Sequence, residues 1–308
     1  MVHQQKIPLV HPSAQIHHDS LLDATVEIGA FTVIGAGVLL GKLCCVGPQC
    51  DLGDWRQDIN DLNVTKIRIG NGVKVGARVS VLGAVDIGND VSIGNGVTLR
   101  GPLQIGDRTE IFDGAVIGAV GQFPGRKATE GKIVVGADVT IREYVAINQP
   151  VESTVTKIGH HAYLMARSQV DHDCELGDYV RLATGVTLGG SVKIDDYAYL
   201  GMNCVVHQGI QVGAHTMLGM NSAILKNVPP FAVIIRSSFA KINAVGLSRR
   251  GFTPKSIDII ESFYATGSYL NLGAHVNTFE KDLFTIREFY SHTNGKPIFV
   301  PAFLPKRT

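Results

Sequence analysis

Aliphatic residues recur at every sixth position along most of this chain. The frame opens with Ile28, Ile34, Leu40, Val46 and Leu52, and resumes at Ile69, Val75, Val81, Ile87, Ile93, Leu99, Ile105, Ile111 and Ile117. A third stretch runs from Ile158 through Leu164, Val170, Leu176, Leu182, Leu188, Ile194, Leu200, Val206, Val212 and Leu218 to Ile224 without a slip. Glycine often follows the aliphatic, as in IGAFTV, IGNDVS and LGDYVR, and a second small or β-branched residue usually comes four places after it. A period of six is neither helical nor the alternation of a half-buried strand. It fits a parallel β-helix in which each hexad supplies one flat face and three hexads close a coil, stacking each aliphatic on its counterpart one coil away. Glycine or Asn/Asp at the corners permits the turns. A β-sandwich would instead show turn signals about 8–12 residues apart and hold no fixed phase.

Two segments break the frame. Residues 53–66, GDWRQDINDLNVTK, read as a polar loop bulging from one coil, and 119–132, AVGQFPGRKATEGK, form a second excursion. Insertions in a solenoid map to one surface and are commonly functional, although a plain surface loop remains open for both. The frame stops at KNVPPFAVI, where Pro229 and Pro230 are expected to end the β ladder. Beyond it, Thr253 and Pro254 suit an N-cap and first helical position, with Ile257, Ile260, Phe263 and Tyr264 at helical spacing. Phe279, Leu283, Ile286, Phe289 and Tyr290 predict a second helix. The chain is thus expected to be a left-handed β-helix over 1–230 and a helical domain over 231–308 that covers the open end of the solenoid.

Composition narrows the chemistry. The 308 residues carry a formal net charge of +1, so no global electrostatic case exists for nucleic acid or an anionic membrane. No apolar run is long enough to span a bilayer, and the opening MVHQQKIPLVHPSAQ lacks a secretory pattern. Five cysteines, Cys44, Cys45, Cys50, Cys174 and Cys204, form no CxxC pair, which favours reduced thiols in a cytoplasmic protein. Cys44, Cys45 and Cys50 lack partner histidines at useful spacing, so no metal and no cofactor is expected.

Within this scaffold stands VDHDCELGDYVRLATGVTLGG, which sets His172 between Asp171 and Asp173. Hydroxyl attack on an activated acyl group needs a base and an oxyanion donor. A histidine with a neighbouring carboxylate to fix its tautomer suits the first role. Gly190 falls one coil after His172, where its N–H lies about 4.8 Å from the His172 backbone, a candidate for the second. A solvated corner histidine is the alternative reading.

The phrases DHDCELGDYVRLATGVTLGG, IDDYAYLG, VVHQGIQVGAHTMLG, VPPFAVI and LSRRGF, in that order, resemble the UDP-N-acetylglucosamine O-acyltransferases of lipid A biosynthesis, within the wider hexapeptide-repeat acyltransferases. The resemblance implies a homotrimer with active sites between adjacent β-helices. It also implies transfer of a 3-hydroxyacyl chain from acyl carrier protein to the 3-OH of UDP-GlcNAc. By position, His172 would be the general base and Asp173 its orienting carboxylate. His207, with Gln208 beside it, would contact substrate, Asn243 and Arg249 would grip the nucleotide, and Gln122 would correspond to a substrate-binding glutamine. Arg126, Lys127 and Lys132 could meet a phosphate or the acidic carrier protein. Met220 would floor the acyl groove and shorten the chain to about C10, since it lies roughly 13 Å along the axis from His172.

Departures from the family pattern point to an altered pocket. Gln169 and Ser191 stand where histidines are usual, Val245 where a glutamate is, and IIRSSFA replaces the GNHA phrase. Two other readings therefore stand beside the first. One is a diverged paralogue that acylates another nucleotide-linked sugar, at oxygen or nitrogen. The other is a β-helix binding protein without turnover, against which the joint presence of His172, Asp173, Gly190 and His207 speaks.

Overall fold

A computed structural model describes residues 8–54, 66–125, 130–266, 281–292 and 294–301. The hexads form a left-handed parallel β-helix with three faces of 13, 11 and 10 strands, here faces one, two and three in chain order. Strands of two to four residues take the aliphatics inward, and every aliphatic of the frame is buried, the most exposed being Val75 at 5%. Adjacent coils pair in parallel register, as in Gln169 with Thr187 and Val170 with Leu188.

The position four after each aliphatic also points inward. Val186, Val192 and Ala198 occupy it, and so do Cys44, Cys50, Cys174 and Cys204, all buried. Four of the five cysteines are therefore core fillers. Their thiols are pushed up by burial, those of Cys174 and Cys204 to about 12, which suits inert packing rather than ligation.

The glycine after the aliphatic has a different cause from the one expected. The left-handed corner residue is usually not glycine: Asp173, Tyr179, Ser191 and Tyr197 all adopt φ near +60° there. A Cβ on Gly159, by contrast, would lie 2.4 Å from the backbone of Gly177 in the next coil. Close stacking of coils, not turn conformation, excludes a side chain.

Pro229 and Pro230 do not end the ladder. They sit in the corner between faces three and one, where no N–H is required, and Ala232–Ile235 then pairs in parallel with Met217–Leu218. Ser238–Ile242 folds back antiparallel on it, so a β-hairpin precedes the helices instead of a purely helical tail beginning at 231. Among the described residues three helices follow: α1 (Ala244–Arg249), α2 (Pro254–Ala265) and α3 (Lys281–Ser291). Thr253 caps α2 by accepting from Ser256 N–H, with Pro254 at the first position, as its sequence predicts. Ile260, Phe263 and Tyr264 bury the inner side of α2, and Tyr264 Oη donates to Pro230 O at 2.9 Å, plugging the end of the solenoid. Phe279, the first residue of the second predicted helical pattern, lies outside the described residues.

The excursions share one origin. The chain leaves the frame between Leu52 and Ile67, between Ala119 and Lys132, and again between Asn148 and Val155, each time from a face-two strand before a face-three strand. That vertex also carries His172. The third excursion, QPVEST, breaks the register so that Thr140 pairs with Tyr163, and it is not among the two expected from the sequence.

Candidate active site

At the vertex between faces two and three, His172 is 6% exposed and its Nδ1 lies 2.7 Å from Asp173 Oδ2. The short excursion one coil earlier exists to hold that carboxylate. Backbone N–H groups of Val151, Glu152 and Ser153 donate to Asp173 at 2.7–3.2 Å, and Ser153 Oγ donates at 2.6 Å. Asp173 N–H in turn donates to Thr156 Oγ1 at 2.9 Å. Burial alone raises the Asp173 carboxyl. The hydrogen bonds from Ser153, His172 and the Glu152 backbone outweigh it and hold the group at about 2. An ionised carboxylate only accepts, so Nδ1 carries a proton, and in the neutral ring the acceptor nitrogen is Nε2.

Glycines border the imidazole on both sides. A Cβ on Gly190 would fall 2.5 Å from Nε2, and one on Gly121 would fall 2.8 Å from the His172 Cβ. Phe123, from the second excursion, meets the ring edge-on at 5.6 Å. At equivalent corners the N–H two places after the aliphatic is capped from the next coil, as Asn71 is by Asn89 and His160 by Asp178. One coil beyond Gly190 the residue is Gln208, and among the described residues the Gly190 N–H has no acceptor. His172 and the uncapped Gly190 thus line one cleft of about 100 Å³, together with Phe123, Glu152, Ser191, Gln208, Gly209 and Lys296.

The other expected residues distribute unevenly. Ser191 and Gln208 line this cleft, Gln169 lies half-buried on face two below it, and Gln122 is exposed beside Phe123. His207 is exposed at the same vertex, its Nδ1 3.2 Å from Gln208 O, and does not line the cleft. Asn243 is engaged elsewhere: its Oδ1 caps α1 through Gly246 N–H and its Nδ2 donates to His215 O. Arg249 is exposed at the end of α1, and Val245 is 60% exposed on the same helix. The neighbouring Arg250, rather than Arg249, is built in, donating to Tyr197 O at 2.9 Å and lying over the Tyr197 ring. Lys132 donates to Gln104 at 2.9 Å, while Arg126, Lys127 and Trp55 lie outside the described residues. Met220 sits on the vertex between faces one and two, 62% exposed, so within one chain it is a face away from His172.

Sequence reasoning missed Ser153, Thr156, Phe123 and Lys296. A slip in the frame between Ile147 and Ile158 was the available signal for the first two; nothing local marks the others.

The sequence and the fold are similar to those of known proteins. Residues 66–101 and 156–190 match the model of bacterial transferase hexapeptide repeats, and 227–284 match the second domain of UDP-N-acetylglucosamine O-acyltransferase. An acyl-(acyl-carrier-protein)–UDP-N-acetylglucosamine O-acyltransferase of Thermodesulfovibrio yellowstonii is 33% identical over 242 residues, covering 77% of this chain and 83% of that protein. The chain belongs to the UDP-N-acetylglucosamine O-acyltransferase family. The family member of Caulobacter vibrioides is 42% identical over 181 residues, 58% of this chain and 67% of its own length. Against the Herminiimonas arsenicoxydans member the match is 31% over 154 residues, covering 49% of this chain and 59% of that protein's length. A solved UDP-N-acetylglucosamine acyltransferase superposes with a TM-score of 0.64 at 25% identity, covering 95% of this chain and 99% of that one. The Francisella novicida enzyme superposes at 0.63 with 23% identity, over 97% and 100% of the two chains, a likeness of fold.

Proposed function

We propose that this chain is an acyltransferase that moves a 3-hydroxyacyl group from acyl carrier protein to the 3-OH of UDP-GlcNAc, a step of lipid A biosynthesis. The observation that carries the reading is His172, tied through Nδ1 to an ionised Asp173 and lining one cleft with the uncapped Gly190. The sugar hydroxyl attacks the thioester carbon as Nε2 takes its proton. The carbonyl π electrons move onto oxygen, where the Gly190 N–H stabilises the charge. Collapse reforms the carbonyl, breaks the C–S bond and returns the proton from His172 to the departing thiolate. Asp173 stabilises the imidazolium between these steps.

An exposed apolar patch supports a homotrimer. Met202, Val205, Met217, Met220 and Leu225 are exposed by 38–65% on face two of the last coils and the adjoining part of face one, an apolar patch that suits contact with further copies. A homotrimer would bring the Met220 vertex of one chain to the His172 vertex of the next, making Met220 the floor of an acyl groove sized for about C10. Among the described residues no helix is long and apolar enough to cross a membrane, and a cytoplasmic location suits a thioester donor. Ser191 and Gln208 line the cleft, which supports contact with the sugar nucleotide, and His207, Gln169, Gln122 and Arg249 are further contacts in this reading. Asn243 acts on it indirectly, by capping α1.

Mass spectrometry of UDP-GlcNAc incubated with the protein and 3-hydroxydecanoyl carrier protein tests the reading. Gain of one hydroxyacyl group, absent with His172→Ala, supports it; preference for a C14 donor overturns the Met220 assignment. Gln169, Ser191 and Val245 favour a second reading, in which the acceptor is another nucleotide-linked sugar acylated at oxygen or nitrogen. Product from UDP-linked amino sugar but none from UDP-GlcNAc selects it.

A further inference from the structure

The segment after α3 returns to the catalytic vertex. Asn227 N–H donates to Pro297 O at 2.8 Å, Phe299 N–H donates to Asn227 O at 2.9 Å, and Asn227 bridges Ile298. Asn294 ties the same strap down on both sides, accepting from Asn227 Nδ2 at 2.9 Å and donating to Gly209 O at 2.6 Å. Between these anchors Lys296 turns inward. Its Nζ donates to Gln208 O, and the ammonium enters the cleft that His172 and Gly190 line. The corner glycine makes room: a Cβ on Gly209 would lie 2.9 Å from Nζ.

We infer that Lys296 is a second oxyanion partner, placing a positive charge opposite His172 to stabilise the tetrahedral addition product. The inference rests on acyl transfer at this cleft, whichever sugar accepts. An ammonium has three donors, and Gln208 O takes one. Gly209 N–H donates to Gly190 O at 2.8 Å, so the coil that anchors the lysine through Gln208 O is locked in register with the coil of Gly190. Two donors of different kind, a neutral N–H and a cation, then converge on the oxygen that gains charge when the thioester carbon is attacked. Glu152 also lines the cleft, and the backbone bonds of the strap with the bond to Gln208 O fix the position of the ammonium. The same segment that closes the cleft therefore charges it.

Two measurements on the full-length protein test this. In acyl transfer, Lys296→Met is expected to lower kcat about 10- to 100-fold with KM for both substrates nearly unchanged, and Lys296→Arg to recover most of the loss. A kcat within threefold of wild type, or a loss confined to KM, overturns the assignment. Calorimetry with an alkyl phosphonate monoester, a tetrahedral anion, does not depend on the acceptor. Kd is expected to rise about tenfold or more in Lys296→Met and to return in Lys296→Arg. Equal binding by wild type and Lys296→Met, or no binding by wild type, overturns the inference. Wild-type protein that binds the phosphonate but leaves UDP-GlcNAc unmodified counts against the proposed acceptor and not against the lysine.

Discussion

Adding one methyl group at Gly190 tests the site most directly. Gly190 does not use the left-handed region, so Gly190→Ala costs no backbone strain and its effect is a contact effect. The new Cβ would lie 2.3 Å from Cε1, 2.5 Å from Nε2 and 3.0 Å from Nδ1 of His172. Carbon atoms in contact settle at about 3.5–4.0 Å, so the ring must retreat by roughly 1 Å. Retreat is opposed, because Nδ1 is held 2.7 Å from Asp173 and Phe123 contacts the ring edge-on. Breaking a charge-assisted bond of this kind costs about 1.5–3 kcal/mol, and misplacing a reacting group by about 1 Å costs about 10²-fold in rate. The expected result is a kcat loss of about 10²- to 10³-fold, read by release of the carrier thiol, with destabilisation of about 1–3 kcal/mol in chemical denaturation. In a His172→Ala background the ring is gone, and the same substitution should cost almost no stability. A kcat within tenfold of wild type, or equal destabilisation in both backgrounds, refutes the packing argument.

Three further outcomes follow from other parts of the molecule. Burial first, and the Arg250 guanidinium second, hold His215 down at about 4, between the rings of Tyr197 and Phe231. The unfolded chain therefore binds the extra proton between pH 6.5 and 4, and the stability due to the neutral ring is complete above pH 6.5 and lost as pH falls through 4. Asp195, pushed up to about 6 by burial, runs the other way. The test is thus the difference in melting temperature between wild type and His215→Phe, which should shift in favour of the variant as pH falls; a constant difference defeats it. Of the five thiols only Cys45 is exposed, so a disulfide reagent should titrate one thiol quickly in the native protein and all five after denaturation, and a second fast thiol would contradict the core placement. Ser168 occupies an inward position with its Oγ buried and unpartnered. Ser168→Val, the residue type at Val186 one coil on, should stabilise by about 1 kcal/mol in denaturant titration, and a loss of that size would show that the hydroxyl is satisfied.

Much of the molecule was legible along the chain because a coil is a local object. The aliphatic of each hexad must face inward wherever the coil closes, so Ile158 to Ile224 announced their burial by phase alone. His172 and Asp173 are neighbours in sequence, and the Thr253–Pro254 cap of α2 is equally local. What the chain did not announce depends on stacking. Val151, Glu152 and Ser153 reach Asp173 only because an excursion leaves the previous coil at the same vertex, and Lys296 reaches the cleft only because the strap pairs with Asn227. Asn243 shows the converse, since α1 and the His215 carbonyl claim its side chain whatever its neighbours in sequence suggest. Periodicity determines which residues face inward, because that choice is made within one turn of the coil. Which vertex receives a loop, a carboxylate's donors or a distant lysine is decided only when coils and tail pack together.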